Sequence, residues 1–416
     1  MDVVVVGGGA AGFFAALSAK EHNPEFNVTI LEKSSQTLSK VKISGGGRCN
    51  VTHSCFEISK LVSYYPRGER FLKKAFYQFQ PKDTIHWFQS RNVLLKTERD
   101  NRVFPESDSS QTIIDCFLSE VRKNNISIQT SSEVKQITFT DDSKKFALLV
   151  KKNKRDSKIN GNTENSQMDE IISADKVIVT TGGMSKNSFL FKLDMKINQP
   201  VASLFSFNIQ DKKLIELKGL SFIGVSVKIN ELKNKVKGDL LITHWGISGP
   251  SILELSSLAA RSLYEKDYIF KVTINWSDKK PEEWQNYFLG LKDKISKQKI
   301  KNHNAGWANR FWVYLLQKTN INEDKIWADV SKKEINRLIQ CICQDEYLVE
   351  GKTTCKEEFV TCGGVDLSEI NHNTMESKKY KGLYFAGEVL DIDGITGGFN
   401  FQSAWTTGYI AGRLMN

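Results

Sequence analysis

Three glycines near the start of the chain have the spacing of a dinucleotide-binding turn. Gly7, Gly9 and Gly12 follow the apolar run 2–6, which predicts a buried strand, and precede a segment of helical character. Glycines at this spacing allow a tight turn and let a pyrophosphate approach the N–H groups that begin the helix. Glu32 ends a second predicted strand, 20 residues after Gly12. A carboxylate there accepts hydrogen bonds from a ribose diol and disfavours a 2′-phosphate, so the pattern predicts an adenine dinucleotide.

Two later stretches favour FAD over NAD. Thr180-Thr181-Gly182-Gly183 ends an apolar strand, and Ala386-Gly387-Glu388 ends another. Both resemble the turns with which two-domain flavoproteins return to their dinucleotide. Gly397-Gly398-Phe399-Asn400 then opens a predicted helix over 401–414. A helix N-terminus at the pyrimidine edge of a flavin would stabilise negative charge on the reduced ring, which predicts hydride chemistry at flavin N5.

The string Ser-Gly-Gly-Gly-Arg-Cys-Asn at 44–50 is the most unusual in the chain. Three consecutive glycines cost backbone entropy, so we expect backbone to approach a ligand at Gly46 and Gly47. Arg48 would supply charge to phosphate or substrate. Cys49 could be a redox thiol, but the absence of a Cys-x-x-Cys motif favours a packing role.

These strings together resemble the BaiN/YhiN-like NAD(P)/FAD-dependent oxidoreductases, which belong to the glutathione-reductase-type FAD-binding superfamily. The resemblance rests on the N-terminal fingerprint, on 44–52, on Thr-His-Trp-Gly-Ile-Ser-Gly-Pro at 243–250, and on 387–400. It implies an α/β fold in which a three-layer Rossmann-like FAD-binding domain is interrupted by an insert. The insert would be an antiparallel β-barrel that carries a small helical subdomain.

The resemblance also implies roles for individual residues. Ala11 and Gly12 would meet the pyrophosphate, Val134 would present its backbone to the adenine, and 46–50 would lie by the isoalloxazine or ribityl chain. Two positions depart from the family pattern, because Thr180 stands where Ala is commoner and His53 where Asn is commoner. The full predicted cofactor-binding set is Gly7, Gly9, Ala11, Gly12, Glu32, Lys33, Gly46, Gly47, Arg48, Cys49, Asn50, Val134, Thr181, Gly182, Gly387, Glu388, Asp391, Gly398, Phe399 and Asn400.

The catalytic groups are less well defined by the sequence. His244 is a candidate acid or base because the ordinary pKa of histidine lies near neutral pH, and Asn400 is a second candidate. An alternative for His244 is a packing role in the turn before Gly249-Pro250. The insert contains no second Gly-x-Gly-x-x-Gly, so we expect NAD(P)H to act only as a transient donor.

Several reactions remain open from sequence alone. The first hypothesis is hydride transfer at flavin N5 to or from an unidentified small organic substrate. The alternatives are an amine or small-molecule oxidase that uses oxygen, a tRNA-modifying flavoprotein, and a non-catalytic flavin sensor.

Composition sets further limits. The chain has 416 residues, a net charge of +10 and seven cysteines. An odd, irregularly spaced cysteine set favours a reducing compartment over a disulfide framework, so we expect a cytoplasmic protein. The spacing of Cys341, Cys343, Cys355 and Cys362 matches no common zinc pattern, and no metal is predicted. The chain has no dense block of basic residues interleaved with aromatics, so nucleic acid is not an expected partner. No apolar run is long enough to span a membrane.

The pattern of elements predicts the domain boundaries. The FAD-binding domain is expected at 1–192 and 356–416, and the insert at 193–355, with the barrel at 193–277 and 344–355 and the helical subdomain at 278–343. Residues 69–90 are expected to be helical, because apolar residues from Phe71 to Phe79 have helical spacing. The polar segment 151–170 reads as a long, mobile hairpin tip. The oligomeric state is left open.

Overall fold

The computed structural model describes residues 1–140, 145–153, 167–184, 188–277, 279–354 and 360–414. The strands are β1 (Asp2–Val6), β2 (Asn27–Leu31), β3 (Thr52–His53), β4 (Leu95–Thr97), β5 (Arg102–Pro105), β6 (Ser127–Gln129), β7 (Ser132–Thr140), β8 (Lys145–Asn153), β9 (Gln167–Ala174), β10 (Lys176–Val179), β11 (Ile197–Ser203), β12 (Ser206–Ile209), β13 (Ser221–Ile229), β14 (Lys235–Thr243), β15 (Gly246–Ser248), β16 (Ile269–Asn275), β17 (Asp345–Thr353), β18 (Val360–Val365) and β19 (Leu383–Phe385). The α-helices are α1 (Ala10–His22), α2 (Ser39–Gly47), α3 (Ile58–Val62), α4 (Glu69–Phe76), α5 (Pro81–Gln89), α6 (Ser110–Lys123), α7 (Lys212–Ile215), α8 (Pro250–Leu258), α9 (Ala260–Glu265), α10 (Pro281–Lys294), α11 (Asn309–Lys318), α12 (Lys332–Cys343) and α13 (Phe399–Gly412).

The chain divides into two compact units. The first comprises Met1–Val201 and Lys356–Asn416, and the second comprises Ala202–Cys355. The boundaries expected from the sequence, at 192/193 and 355/356, and the subdivision of the insert stay predictions.

A five-stranded parallel sheet forms the centre of the first unit, in the order β19-β10-β1-β2-β6. Val3 to Val6 are all buried, as expected for a strand that is covered on both faces. In a parallel sheet the carboxyl ends of the strands meet at one edge, and in open α/β sheets ligands bind there. The turns that follow β1, β2, β10 and β19 therefore come together, although they lie up to 380 residues apart in sequence.

Small residues bring α13 directly onto α1. A Cβ at Gly408 would lie 2.7 Å from the Ala11 carbonyl oxygen, and one at Gly412 would lie 2.3 Å from that of Ala15. Only glycine permits this approach. The contact holds α13 beside the glycine turn that begins α1.

The helical segment expected over 69–90 is present as two helices, Glu69–Phe76 and Pro81–Gln89. Pro81 starts a separate helix, because proline lacks the N–H that a continuous helix would need at that point. A capping box between Gln80 and Asp83 stabilises the new N-terminus.

β7, β8 and β9 form an antiparallel sheet, in which β8 and β9 pair from Phe146↔Ala174 to Asn153↔Gln167. The hairpin expected between 147 and 172 is present in this pairing. Residues 154–166, most of the predicted polar tip, lie outside the described residues.

The second unit contains the antiparallel barrel that the sequence predicts. Six strands close it in the order β12-β15-β14-β13-β16-β17. Alternate residues of β14 are buried, as expected for a strand with one face toward the core. Helices α10, α11 and α12 lie between β16 and β17 in the chain, and the predicted capping box of Ser331 and Glu334 begins α12. Within the described residues, no helix is both long and apolar enough to cross a bilayer.

Candidate active site

The turn between β1 and α1 has the shape of a phosphate cradle. At Gly12 a Cβ would lie 2.0 Å from the Gly7 carbonyl oxygen, so this position admits no side chain. At Gly9 the same construction meets no heavy atom within 4 Å, so open space lies in front of the turn. α1 has no side-chain cap and no acidic residue in its first turn, which leaves its N-terminal N–H groups and positive potential facing that space.

Glu32 lies beside this turn with its carboxylate oriented by two backbone amides. Oε2 accepts from the Gly8 N–H and Oε1 from the Ser34 N–H, both at 2.8 Å. The Glu32 carbonyl accepts from Ser132 at the start of β7, the strand that carries Val134. The position suits the adenosine half of a dinucleotide. Lys33 is exposed next to it.

Thr180 fastens the end of β10 to the glycine turn. Its hydroxyl lies 2.9 Å from the Gly7 carbonyl oxygen and 3.1 Å from that of Val6, and its N–H donates to Val6 at 2.8 Å. An alanine at position 180 would lack this hydroxyl. Thr180 therefore adds hydrogen bonding to the Val6 and Gly7 carbonyl groups at the tight turn. Thr181 and Gly182 follow at the same edge, with Gly182 at φ +73°.

The turn after β19 meets the start of α1 from the other side. A Cβ at Gly387 would lie 2.7 Å from the Ala11 Cβ, and the Gly387 N–H donates to the Thr407 hydroxyl. Glu388 pairs with Lys40 at 2.7 Å and accepts from the Thr361 N–H at 2.8 Å. The Lys40 contact has no signal in the sequence, since 348 residues separate the partners.

Asp391 is buried, and its carboxylate accepts from the Asn198 amide at 2.7 Å. The backbone N–H of Asp391 donates to the Val365 carbonyl oxygen. Asp391 therefore helps to fix the segment between β19 and α13.

The two most specific strings meet in the structure. The Asn50 side-chain oxygen accepts from the Gly398 N–H at 2.9 Å, and a Cβ at Gly398 would lie 2.7 Å from the Thr52 carbonyl. Gly46 and Gly47 have positive φ and open space where a Cβ would lie. The glycine run interrupts α2 with non-helical angles, so its backbone faces that space without side chains.

Two of the predicted residues in this region, Arg48 and Asn400, make polar contacts within the protein itself. Arg48 pairs with Glu98 at 2.7 Å and Asp108 at 3.4 Å, and its guanidinium stacks on Phe104. Its charge is therefore already shared with two carboxylates. The Asn400 amide clamps Gly394, accepting from its N–H at 2.8 Å and donating to its carbonyl at 2.9 Å.

Cys49 is fully buried, and burial raises the pKa of its thiol to about 12. A thiol with that pKa has almost no thiolate at neutral pH. The packing role is the one that its surroundings favour. Cys49 also adopts φ +60°, in the turn that ends the glycine run.

The other catalytic candidate belongs to the second unit. His244 is exposed at the tip of the β14–β15 hairpin, where its ring centroid lies 4.1 Å from that of Trp245. Its role stays a prediction. Among the described residues no group of three His, Cys, Asp or Glu side chains could hold a metal ion. Cys355, one of the four cysteines considered for such a site, lies outside the described residues.

Sequence reasoning noted His53 only as a departure from the family pattern. In the structure its ring stacks on Phe399, the first residue of α13, with centroids 4.8 Å apart. The sequence signal for His53 was its residue type, since it directly follows the 44–52 string at a position where Asn is commoner.

The residues of the first unit fit FAD. The turn at Gly9 leaves room for a pyrophosphate, the Glu32 carboxylate is positioned for a ribose, and the backbone around Gly46 and Gly47 is open for a flavin. α13 also lacks an acidic residue in its first turn, so no side chain there opposes negative charge on a reduced ring.

The chain matches a known protein family over nearly its whole length. A profile of the HI0933-like protein Rossmann domain matches residues 1–414. The chain is 29% identical over 425 residues to the ribosomal RNA dihydrouridine synthase of Escherichia coli K12, a match that covers 98% of this chain and 96% of that one. It is 25% identical over 425 residues to the 3-dehydro-bile acid delta(4,6)-reductase of Clostridium scindens, covering 98% and 97%.

Two solved structures that align with this chain over 99% of its length are named as oxidoreductases. The 3-ketosteroid-delta4-(5alpha)-dehydrogenase of Rhodococcus jostii RHA1 has a TM-score of 0.49 at 11% identity, covering 99% of this chain and 95% of that one. A quinol-fumarate reductase has a TM-score of 0.49 at 12% identity, covering 99% and 70%. With its profile match over nearly the whole length and its three converging glycine turns, the chain belongs to the HI0933-like family of NAD(P)/FAD-dependent oxidoreductases.

Proposed function

We propose that this flavoprotein reduces a carbon–carbon double bond that is conjugated with a carbonyl group, and that its substrate is a uracil ring in RNA. The hydride would come from reduced FAD, and NAD(P)H would reduce the FAD. The observation that carries the proposal is the chemistry shared by the two kinds of curated relative.

The relatives' names describe one type of reaction on two unlike substrates. A dihydrouridine synthase saturates the 5,6 double bond of uridine, which is conjugated with the C4 carbonyl. A 3-dehydro-bile acid delta(4,6)-reductase reduces double bonds conjugated with a 3-oxo group. Hydride addition to the carbon remote from the carbonyl, followed by protonation of the neighbouring carbon, would account for both kinds of product.

The chain's own residues would bind and orient the cofactor. The first turn of α1 would hold the pyrophosphate, Glu32 would hold the adenosine ribose, and the turns at Gly46 and Gly398 would hold the flavin end. When bound, FAD supplies a two-electron hydride donor at N5. Thr180 joins the turn after β10 to the turn after β1, and Asn50 joins the 44–50 string to Gly398, so these contacts would hold the cofactor-binding backbone in position.

Although the sequence has no dense basic block, two other observations favour RNA over a small molecule. The net charge of +10 attracts a polyanion. Two of the curated relatives, from Escherichia coli and Haemophilus influenzae, are ribosomal RNA dihydrouridine synthases at 29% identity, against 25% for the bile acid reductase. A 3-oxo steroid is the second candidate, on the strength of that bile acid relative.

The test is an anaerobic reaction of FAD-loaded protein with NADPH or NADH and one of two acceptors. The acceptors are an unmodified ribosomal RNA transcript and a 3-oxo-4,6-diene steroid. We expect a gain of two mass units on uridine in nuclease digests of the RNA, and no change in the steroid. The matched control is a Gly9→Ala variant, in which the new methyl group would occupy the pyrophosphate space.

Each other outcome has a definite meaning. Steroid reduction without RNA reduction would assign the second candidate. If neither acceptor were reduced under anaerobic conditions, and NAD(P)H were oxidised only after oxygen was admitted, the proposal would be overturned in favour of an oxidase.

A further inference from the structure

A groove of about 230 Å³ lies in the second unit, between α10 and α12. The buried side chains of Ile339 and Cys343 form its floor, next to Pro281. Its volume is below the range of about 300–1,000 Å³ that is usual for drug-sized ligands, so it suits a small chemical group better than a whole cofactor. None of the residues that line it belongs to the set assigned to FAD.

Four amide side chains line the rest of the groove. Gln285 belongs to α10, Asn336 and Gln340 belong to α12, and Gln344 follows the end of α12. Within the part of the chain that the structure describes, none of these four amides has a hydrogen-bond partner in the protein. Each amide offers two N–H donors and one acceptor oxygen. The groove therefore combines an apolar floor with several unused donors and acceptors.

Positive charge follows α12 along this groove. Lys333 lies one helical turn before Asn336, on the same face. Arg337 lies one turn before Gln340 in the same way. Both cationic side chains are exposed, and neither has an ion-pair partner among the described residues. Residues 279–343 as a whole carry 13 Lys or Arg and 7 Asp or Glu, a net charge of +6 in a chain whose total is +10.

The acidic groups near the groove leave the α12 side positive. Burial raises the pKa of Cys343 to about 11, and Glu282 and Glu283 in the first turn of α10 act in the same direction, so these two carboxylates lie toward that end. Glu334, in the first turn of α12, caps the helix and pairs with Lys325 at 3.0 Å. A polyanion would therefore follow α12 rather than the start of α10.

We propose that this groove binds a base of the RNA substrate other than the uridine that is reduced. The inference rests on the proposed function. Asn and Gln amides recognise bases because each places a donor beside an acceptor, and proteins that recognise single-stranded RNA hydrogen-bond the exposed edges of its bases. The apolar floor would cover the face of the ring. Lys333 and Arg337 would contact neighbouring phosphates, which position the strand without reading its sequence.

The first test removes amides without changing charge. Gln340→Leu and Asn336→Leu should each weaken binding of the unmodified ribosomal RNA transcript about tenfold in a filter-binding assay. Both should keep the FAD affinity of the parent, because no residue assigned to FAD is altered. Gln317→Leu, at an exposed position on α11, is the matched control and should bind RNA and FAD as the parent does. Parent-like RNA binding in both groove variants would overturn the inference.

The second test concerns the phosphate contacts. Lys333→Gln should reduce the slope of log affinity against log salt by about 0.7, the change expected for one phosphate contact on a single strand. Lys213→Gln, an exposed position on α7 in the same unit, should keep the parent slope. A parent-like slope in Lys333→Gln would contradict a strand that follows α12.

Photochemical crosslinking locates the RNA directly. A transcript that contains thiouridine is irradiated with the FAD-loaded protein, and mass spectrometry identifies the crosslinked peptides. Crosslinks should fall within 281–285 or 336–344. Crosslinks confined to the first unit would overturn the inference while the proposed function stood, and the groove would then be open to a protein partner. A parent protein that neither bound nor reduced the transcript would instead refute the proposed function.

Discussion

At the scale of single residues, two glycines of one turn differ in what they accommodate. Gly12→Ala would place a methyl carbon 2.0 Å from a backbone oxygen, a clash that no rotamer relieves. Gly9→Ala meets open space and a negative φ, so the protein should fold normally. We expect Gly9→Ala to bind FAD about 10- to 100-fold more weakly, through overpacking against the pyrophosphate.

Flavin-fluorescence titration and thermal unfolding measure the two effects separately. Gly12→Ala should unfold at a lower temperature than the parent even without FAD. Equal FAD affinity in Gly9→Ala and the parent would exclude the phosphate assignment of this turn.

Glu32 should set the affinity for the adenosine half. Glu32→Gln removes the charge that strengthens a hydrogen bond to the ribose, which is worth about 1.5–3 kcal/mol, so FAD should bind about 10- to 100-fold more weakly. Isothermal titration at low salt measures the change. Glu25→Gln, an exposed carboxylate before β2, is the matched control and should leave affinity unchanged.

Cys49 should be inert in the folded protein. Burial and a pKa of about 12 leave little thiolate at pH 7.5, so iodoacetamide should modify Cys49 only after denaturation. Peptide mass spectrometry before and after unfolding in guanidinium measures this. Rapid labelling of the native protein would instead indicate a reactive thiol beside the flavin end.

At the scale of elements, a buried glutamine joins α13 to its neighbours. The Gln402 Oε1 accepts from Thr52 of β3 at 2.6 Å and from Thr84 of α5 at 2.9 Å, and its amide donates to Thr406 at 3.0 Å. Gln402→Leu would leave these hydroxyls without their buried partner, at a cost of about 1–3 kcal/mol. Because the same helix begins at the flavin turn, FAD affinity should fall along with stability.

Amide hydrogen exchange distinguishes a local loss of stability around α13 from destabilisation of the whole first unit. Exchange should accelerate in α13 and β3, while the barrel strands keep the parent rates. The reference variant is Gln317→Leu on α11, an exposed glutamine that should leave both properties unchanged. Uniform acceleration throughout the first unit would contradict a local role for Gln402.

At the scale of the whole molecule, the positive charge should make RNA binding depend on salt. Even three phosphate contacts would weaken binding about 20- to 40-fold between 50 and 200 mM salt. Binding of a 3-oxo steroid should change little over the same range. Salt-independent RNA affinity, measured by fluorescence anisotropy, would exclude an electrostatic basis for RNA recognition.

The sequence predicts the parallel sheet and its glycine turns well, because β-branched runs and glycine spacing are local signals. It cannot predict that Glu388 pairs with Lys40 or that Arg48 pairs with Glu98 and Asp108, since surface ion pairs depend on side chains brought close only by folding. The segment 69–90, which is expected to be helical, forms two helices, because α4 ends at Phe76 and Pro81 begins α5. The apolar spacing that supports the expectation stops at Phe79, before the proline.

The packing of α13 on α1 also fixes an order of events during synthesis. The ribosome makes β19 and α13 more than 350 residues after β1 and α1, yet they complete the sheet edge and the turns at Gly387 and Gly398. Until they emerge, the nascent first half has only part of its cofactor site, while the intervening unit is already complete. FAD capture is therefore a late step in biogenesis, and a ribosome-stalled chain that ends before residue 383 would present an exposed, unfinished sheet to chaperones.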